Sequence, residues 1–122
     1  MSEFRFGITA NDYERSLTFY RDKLGLKTMR SWDRGANDKG TLFEFGNGII
    51  EILPADPSHA AAKPVGVWLY IEVPDVDKYF NQVKEEGVPV IIAPKDEPWG
   101  HRRCKIKDPD GIEIGLFSVI AS

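Results

Sequence analysis

Few residues in this 122-residue chain are equipped for acid–base or nucleophilic chemistry: two histidines, one cysteine and scattered carboxylates. His101 stands in the run Trp99-Gly100-His101-Arg102-Arg103-Cys104-Lys105. A general base needs a group that orients it and a proton within hydrogen-bond reach. The sequence places no such partner beside His101, so it reads as a residue that hydrogen-bonds a ligand at the rim of a cavity. His59 lies in a Pro- and Ala-rich stretch and reads as an exposed loop residue. Arg103 and Lys105 flank Cys104, and neighbouring cations favour a thiolate. Cys104 nevertheless alternates with Ile106, which makes it a small buried hydrophobe. The aromatic residues carry a stronger signal. Trp32, Trp68, Tyr70 and Trp99 offer flat apolar faces. Stacking on such a face contributes about 1 kcal/mol per ring pair beyond area burial. A cationic ring would also be attracted to the aromatic faces and to Glu51 or Glu113. These residue types suit holding a planar compound better than transforming one.

The elements that must position these residues follow from periodicity. Phe4, Phe6, Ile8 and Ala10 alternate with Arg5, Gly7 and Thr9, predicting a strand with one apolar face. Asn11 with Glu14 three residues on predicts a helix start. Tyr13, Leu17, Tyr20 and Leu24 recur at helical spacing, and Gly25 closes that helix. Leu26 to Trp32 predicts a strand. A hairpin follows from Thr41 to Leu53, with Asn47-Gly48 as its turn signal. After a Pro- and Ala-rich segment the order repeats. Val67, Leu69, Ile71 and Val73 alternate with Trp68, Tyr70 and Glu72. Pro74-Asp75 opens a helix with the stripe Val76, Tyr79, Phe80 and Val83, and Gly87 ends it. Val88 to Ile92 predicts a strand and Ala93 to Pro98 a loop. A second hairpin then turns at Asp108-Pro109-Asp110-Gly111, where Pro109 sets φ and Asp108 can accept from the backbone.

Each half therefore reads β-α-β-β-β, and the Gly25–Gly87 and Gly48–Gly111 spacings agree to within one residue. The expected fold class is α+β: two βαβββ modules in tandem, with curved mixed sheets enclosing a cleft and helices outside. Residues 1–122 are expected to form one domain, with modules of about 1–55 and 66–122 and a linker of about 54–65. Alternation leaves Arg5, Glu51, Trp68, Tyr70 and Glu113 on open sheet faces. Aromatic and charged groups together there make a poor core and a suitable cavity wall.

Composition narrows the function classes. A formal net charge of -3 creates no basic field, so no nucleic-acid partner is expected. A single cysteine permits no intrachain disulfide. The N-terminal residues lack an apolar signal core, and no apolar run approaches membrane-spanning length. A cytoplasmic protein with no membrane partner is expected.

At this point the chain resembles the vicinal oxygen chelate superfamily, which includes glyoxalase I, bleomycin resistance proteins and extradiol dioxygenases. The resemblance rests on Asp12, Glu14-Arg15-Ser16-Leu17, Phe19-Tyr20 and Leu24-Gly25-Leu26 in the first module. In the second it rests on Val73-Pro74-Asp75-Val76-Asp77, Trp99-Gly100 and Asp108-Pro109-Asp110-Gly111. It implies four strand positions that hold a divalent metal in the family's enzymes, and these fall on Arg5, Glu51, Trp68 and Gly115. Only Glu51 is a ligand type. An arginine and an indole offer no lone pair, and glycine has no side chain. The resemblance is therefore closest to the metal-free bleomycin-resistance-like branch. It implies a homodimer that sequesters a planar or aromatic compound, one that can be cationic, without a cofactor and without catalytic residues. The expected ligand-binding residues are Arg5, Glu51, Trp68, Tyr70, Trp32, Trp99, His101 and Glu113. The alternative is a glyoxalase-like lyase or isomerase, or a dioxygenase-related enzyme, with a rearranged metal site.

Overall fold

The computed structural model describes residues 3–120. The chain forms two compact units, one ending at Lys63 and the other beginning at Pro64. The first contains β1 (Arg5–Ala10), α1 (Tyr13–Leu17), β2 (Thr28–Asp33), β3 (Lys39–Phe45) and β4 (Gly48–Pro54). The second contains β5 (Trp68–Glu72), α2 (Val76–Glu85), β6 (Val90–Asp96), β7 (His101–Lys107) and β8 (Glu113–Val119). Each unit is a four-stranded mixed sheet, ordered β1-β4-β3-β2 and β5-β8-β7-β6. The first and last strands of each unit pair in parallel, and the remaining neighbours are antiparallel. The α+β fold of two tandem βαβββ modules is thus the one expected from the sequence. Among the described residues no helix is long and apolar enough to cross a membrane.

In the first unit the apolar strand faces meet the helix over Ile8, Ala10, Phe43, Ile50 and Ile52, all buried with Phe19 and Tyr20. Asp12, rather than Asn11, caps α1, its side chain accepting from the Arg15 N–H at 3.1 Å. Asp12 takes the cap because the chain turns helical at Tyr13, one residue later than the Asn11–Glu14 pattern implies. From Thr18 to Lys23 the helix widens into π-type turns. Leu24 N–H accordingly donates to the Phe19 carbonyl, five residues back, at 2.8 Å. The wider turn brings the adjacent residues Phe19 and Tyr20 both into the core, where their rings meet edge to face at 4.9 Å. Strict 3.6-residue spacing could not register Phe19.

The first hairpin also differs from its sequence signal. Phe45 pairs with Gly48, so the two-residue turn is Gly46-Asn47. Gly46 carries φ +58°, and among the described residues no residue other than glycine is positive. Glycine at the first turn position suits a II′ geometry, whereas Asn47-Gly48 would need a positive φ at Asn47. The segment after Pro54 is bonded to β1: Ala55 N–H donates to the Ala10 carbonyl at 3.0 Å and Ala62 N–H to the Thr9 carbonyl at 2.7 Å.

In the second unit Val73, Val76, Val83, Val88, Cys104, Ile106, Ile114 and Leu116 form the core. Asp75 caps α2 by accepting from the Lys78 N–H at 3.2 Å. Arg102 clamps that helix to the sheet edge, donating to both Asp77 oxygens at 2.9 and 3.1 Å and to Asp96 at 3.0 Å. The expected loop from Ala93 is instead strand as far as Asp96, with register shifts between Val90 and Lys95. Pro94 is tolerated because β6 is an edge strand, where a missing N–H breaks no second ladder. The second turn is organised by buried Asp108, whose Oδ1 accepts from Asp110 N–H at 2.9 Å and Ile112 N–H at 2.7 Å.

Cys104 is fully buried, and desolvation pushes its thiol up to about 11. The cations on either side do not activate it, because they occupy the opposite sheet face. The folded state thus holds the proton more tightly than the unfolded chain, so its stability should fall as pH rises from about 9 towards 11. With 1.36 kcal/mol per pKa unit, the Cys104 contribution lost is on the order of 2–3 kcal/mol. Denaturation of wild type and Cys104→Ala across this range checks it: the alkaline slope should be shallower in the variant, and an unchanged slope would assign the loss to other groups.

Candidate functional site

The open face of the second sheet gathers aromatic and charged side chains in one layer. Trp68 and Tyr70 project from β5, Arg103 and Lys105 from β7, and Glu113 from β8. The central contact involves Tyr70 and Gly115, which are register partners across the parallel β5–β8 pair. A Cβ at position 115 would overlap the Tyr70 ring, with Cζ at 3.0 Å among its nearest neighbours. Glycine thus lets the ring lie over β8. From there the phenol oxygen accepts from Arg103 Nη1 at 2.6 Å. Arg103 Nε donates to Glu97 at 2.6 Å, and the guanidinium stands 5.2 Å from the Trp99 ring centre. Lys105 Nζ lies 5.6 Å from the Trp68 ring centre and 3.4 Å from Glu113. Phe117 completes the layer, edge-on to Tyr70 at 5.9 Å and stacked on His101 at 4.2 Å.

Both indoles remain open to solvent: Trp68 is 56% exposed and Trp99 57%, with Tyr70 at 38%. Glu97 is nearly buried at 8%. Burial alone would raise its carboxyl, but hydrogen bonds from Arg103 and Lys95 outweigh that and hold it below the usual carboxylate range.

In the first unit Arg5 and Glu51 lie on the open face of the β1–β4 pair. Arg5 donates to Glu51 at 3.4 Å and also bonds Glu3. Trp32 is within β2, its ring against Gly40, and the Arg30 guanidinium stands 5.5 Å from its centre. Trp32 walls two cavities of this unit. One, of about 290 Å³, lies beside Tyr13, Ser31 and Thr41. The other, of about 270 Å³, lies beside Leu53, Asp56 and His59. Exposed His59 sits in a tight turn, its N–H donating to Asp56 at 2.8 Å.

The structure therefore brings Trp68, Tyr70, Trp99, His101 and Glu113 into one layer, and pairs Arg5 with Glu51. It also adds residues that sequence reasoning did not select: Glu97, Arg103, Lys105 and Phe117. The alternation of Arg103 and Lys105 with Cys104 and Ile106 was the available signal for the two cations. Glu97 gave none, since it sits in the expected loop. His101 is a stacking partner of Phe117, a contact that alternation on one strand does not disclose.

A divalent ion does not fit the four positions where the resemblance implies ligands. The space above Gly115 is taken by the Tyr70 ring. Glu51 faces the Arg5 guanidinium. Trp68 and Arg5 have no lone pair to donate. Among the described residues no three His, Cys, Asp or Glu side chains come together as a metal-holding group.

A model of the Glyoxalase/Bleomycin resistance protein/Dioxygenase superfamily matches residues 4–116. The chain belongs to this superfamily. Among its relatives is the uncharacterized protein YraH of Bacillus subtilis (strain 168), 28% identical, with 98% of this chain and all of YraH covered. A glyoxalase/bleomycin resistance protein from Streptomyces sp. CB03234 superposes with a TM-score of 0.72 at 25% identity, covering 94% of this chain and 98% of that one. TnmS3, an antibiotic binding protein from the same Streptomyces, superposes with a TM-score of 0.76 over 98% of this chain and 96% of its own, at 24% identity. The likeness to TnmS3 shows a shared fold.

Two outcomes follow from the second-sheet layer. Gly115→Ala should destabilise the protein by about 1–3 kcal/mol in urea denaturation, as overpacking does. The loss should shrink in a Tyr70→Ala background; equal losses in both would mean that the ring is not what fills the space. Stability from Glu97 is present above the usual carboxylate range and lost as pH falls through its depressed folded value. Glu97→Gln should therefore flatten the acid limb of stability against pH, and an unaltered limb would remove Glu97 from that transition.

Proposed function

We propose that this superfamily member is a metal-free binding protein that sequesters a planar or aromatic small molecule, in the manner of bleomycin resistance proteins, and that it works as a cytoplasmic homodimer. The observation that carries the reading is the pair of exposed indoles, Trp68 on β5 and Trp99 in the turn before β7, on the sheet face that also bears Tyr70. Leaving such rings wet costs roughly 25 cal/mol per Å² of apolar area. The rings have no core to fill on that face, and a planar ligand would remove both faces from water. The poor fit of a divalent ion supports binding over metal-dependent turnover. The antibiotic-binding description of TnmS3 supports the capacity of the same fold to hold a bulky compound. A second copy of the chain would supply a further wall, as isologous pairing of open faces does.

Quenching of indole fluorescence by a panel of planar compounds, including a bleomycin-type glycopeptide, is the direct assay. Several should bind, and Trp68→Ala should weaken binding by about 1–3 kcal/mol, the range for a truncated aromatic anchor. Equal affinity for wild type and Trp68→Ala would move the ligand elsewhere, and turnover of a bound compound would make the protein an enzyme. Sedimentation at micromolar concentration should give a dimer; a monomer that persists as concentration rises would reject that part.

A further inference from the structure

We propose that the open face of the second sheet selects planar aromatic ligands that carry an acidic group, with Arg103 and Lys105 reading that charge. This deepens the planar-ligand reading and rests on it. It also reverses the charge expected from the sequence, where the exposed aromatics and Glu51 or Glu113 favoured a cation.

The argument begins with what already sits against the rings. Lys105 Nζ is 5.6 Å from the Trp68 ring centre, and the Arg103 guanidinium is 5.2 Å from that of Trp99. A ring attracts a cation through the negative charge on its face. Here each indole already has a cation over it, so a cationic ligand would meet a ring of reduced attraction and a like charge beside it. An electron-rich or anionic ring meets the opposite situation.

The carboxylates on this face do not cancel the effect. Glu97 is nearly buried and faces two cations, Arg103 at 2.6 Å and Lys95 at 3.4 Å. That cluster carries one positive charge in excess. Glu113 balances Lys105 at 3.4 Å, a long contact. Glu72, exposed on the same face, lies at the other end of β5 from Trp68.

Arg103 is also prepared geometrically. Nε is committed to Glu97 and Nη1 to the Tyr70 oxygen, which fixes the plane of the guanidinium. Among the described residues no hydrogen bond uses Nη2. A fixed guanidinium with one uncommitted nitrogen is suited to donate a charge-assisted hydrogen bond to a carboxylate, phenolate or sulfonate. Tyr70 is thereby a positioning residue for Arg103 as well as a wall of the site.

The test compares three ligands of one shape by calorimetry: 2-naphthoate, neutral 2-naphthamide and protonated 2-naphthylmethylamine. Naphthoate should bind at least about tenfold more tightly than the amide, the scale of one charge-assisted hydrogen bond, with the amine weakest. Added salt should narrow the order. The naphthoate-to-amide ratio should collapse in Arg103→Gln. Should that variant fail to fold because it strands Glu97, Lys105→Met serves, and it should reduce the same ratio. Equal binding of all three, lost together in Trp68→Ala, would overturn the charge inference and leave the planar-ligand reading standing. The amine binding tightest would likewise overturn it. No binding of any of the three up to millimolar concentration would overturn both.

Discussion

The contact on which the second unit's open face depends is that of the Tyr70 ring with the bare backbone of Gly115. Tyr70 and Gly115 are neighbours across β5 and β8, and any side chain at 115 would meet the ring. With the ring over β8, its oxygen reaches Arg103 on β7. Arg103 is then held in one plane, which sets its distance to Trp99 and its bond to Glu97. Three strands and the turn before β7 are thus coordinated by one missing Cβ. Removing a Cβ is the least expensive way to bring a ring and a backbone together, and the cost in a strand is the lost side-chain packing at that point.

The two units use the same ladder differently. On the first, β1 presents Gly7 and β4 presents Glu51 at paired positions. On the second, β5 presents Tyr70 and β8 presents Gly115. The glycine has changed strands between the repeats. One unit keeps a carboxylate with open space beside it, since nothing lies within 4 Å of a Cβ on Gly7. The other fills the corresponding space with a phenol. The two ladders keep the same parallel pairing while this pair of positions differs, and one member of each pair, Glu51 and Gly115, falls where the superfamily resemblance implies a metal ligand.

Much of this architecture was legible in one dimension. Period-two alternation on Phe4 to Ala10 and Val67 to Val73 identified both sheet faces, because a strand's side chains have no choice but to alternate. Asp108 and Gly111 identified the second turn through chemistry local to it. What stayed hidden needed either unusual backbone or long-range contact. The π-type turns over Thr18 to Lys23 place Phe19 in the core against helical spacing. The turn at Gly46 shifts by a residue because positive φ belongs to the glycine that comes first. Pro94 suggested a loop, yet an edge strand accommodates it. Of the site, Trp68, Tyr70 and Glu113 could be selected by face. The bonds of Arg103 to Tyr70 and Glu97 could not, because residues 70, 97 and 103 meet only once three segments have been brought together.

The same contacts explain how the protein can keep two indoles exposed without the surface becoming indiscriminately adhesive. A bare aromatic patch attracts any apolar surface. Here each ring has a charged neighbour whose own counter-charge is fixed on the protein: Lys105 with Glu113 at Trp68, Arg103 with Glu97 at Trp99. An approaching apolar surface would have to strip the water that remains on Lys105 and Glu113 with nothing to offer in return, which opposes the stacking. A planar compound small enough to cover a ring while leaving the Lys105–Glu113 pair wet, or carrying a group that satisfies Arg103, does not incur that cost. Selectivity on this face is therefore set by the charged residues around the rings, and the rings supply the attraction that those residues restrain.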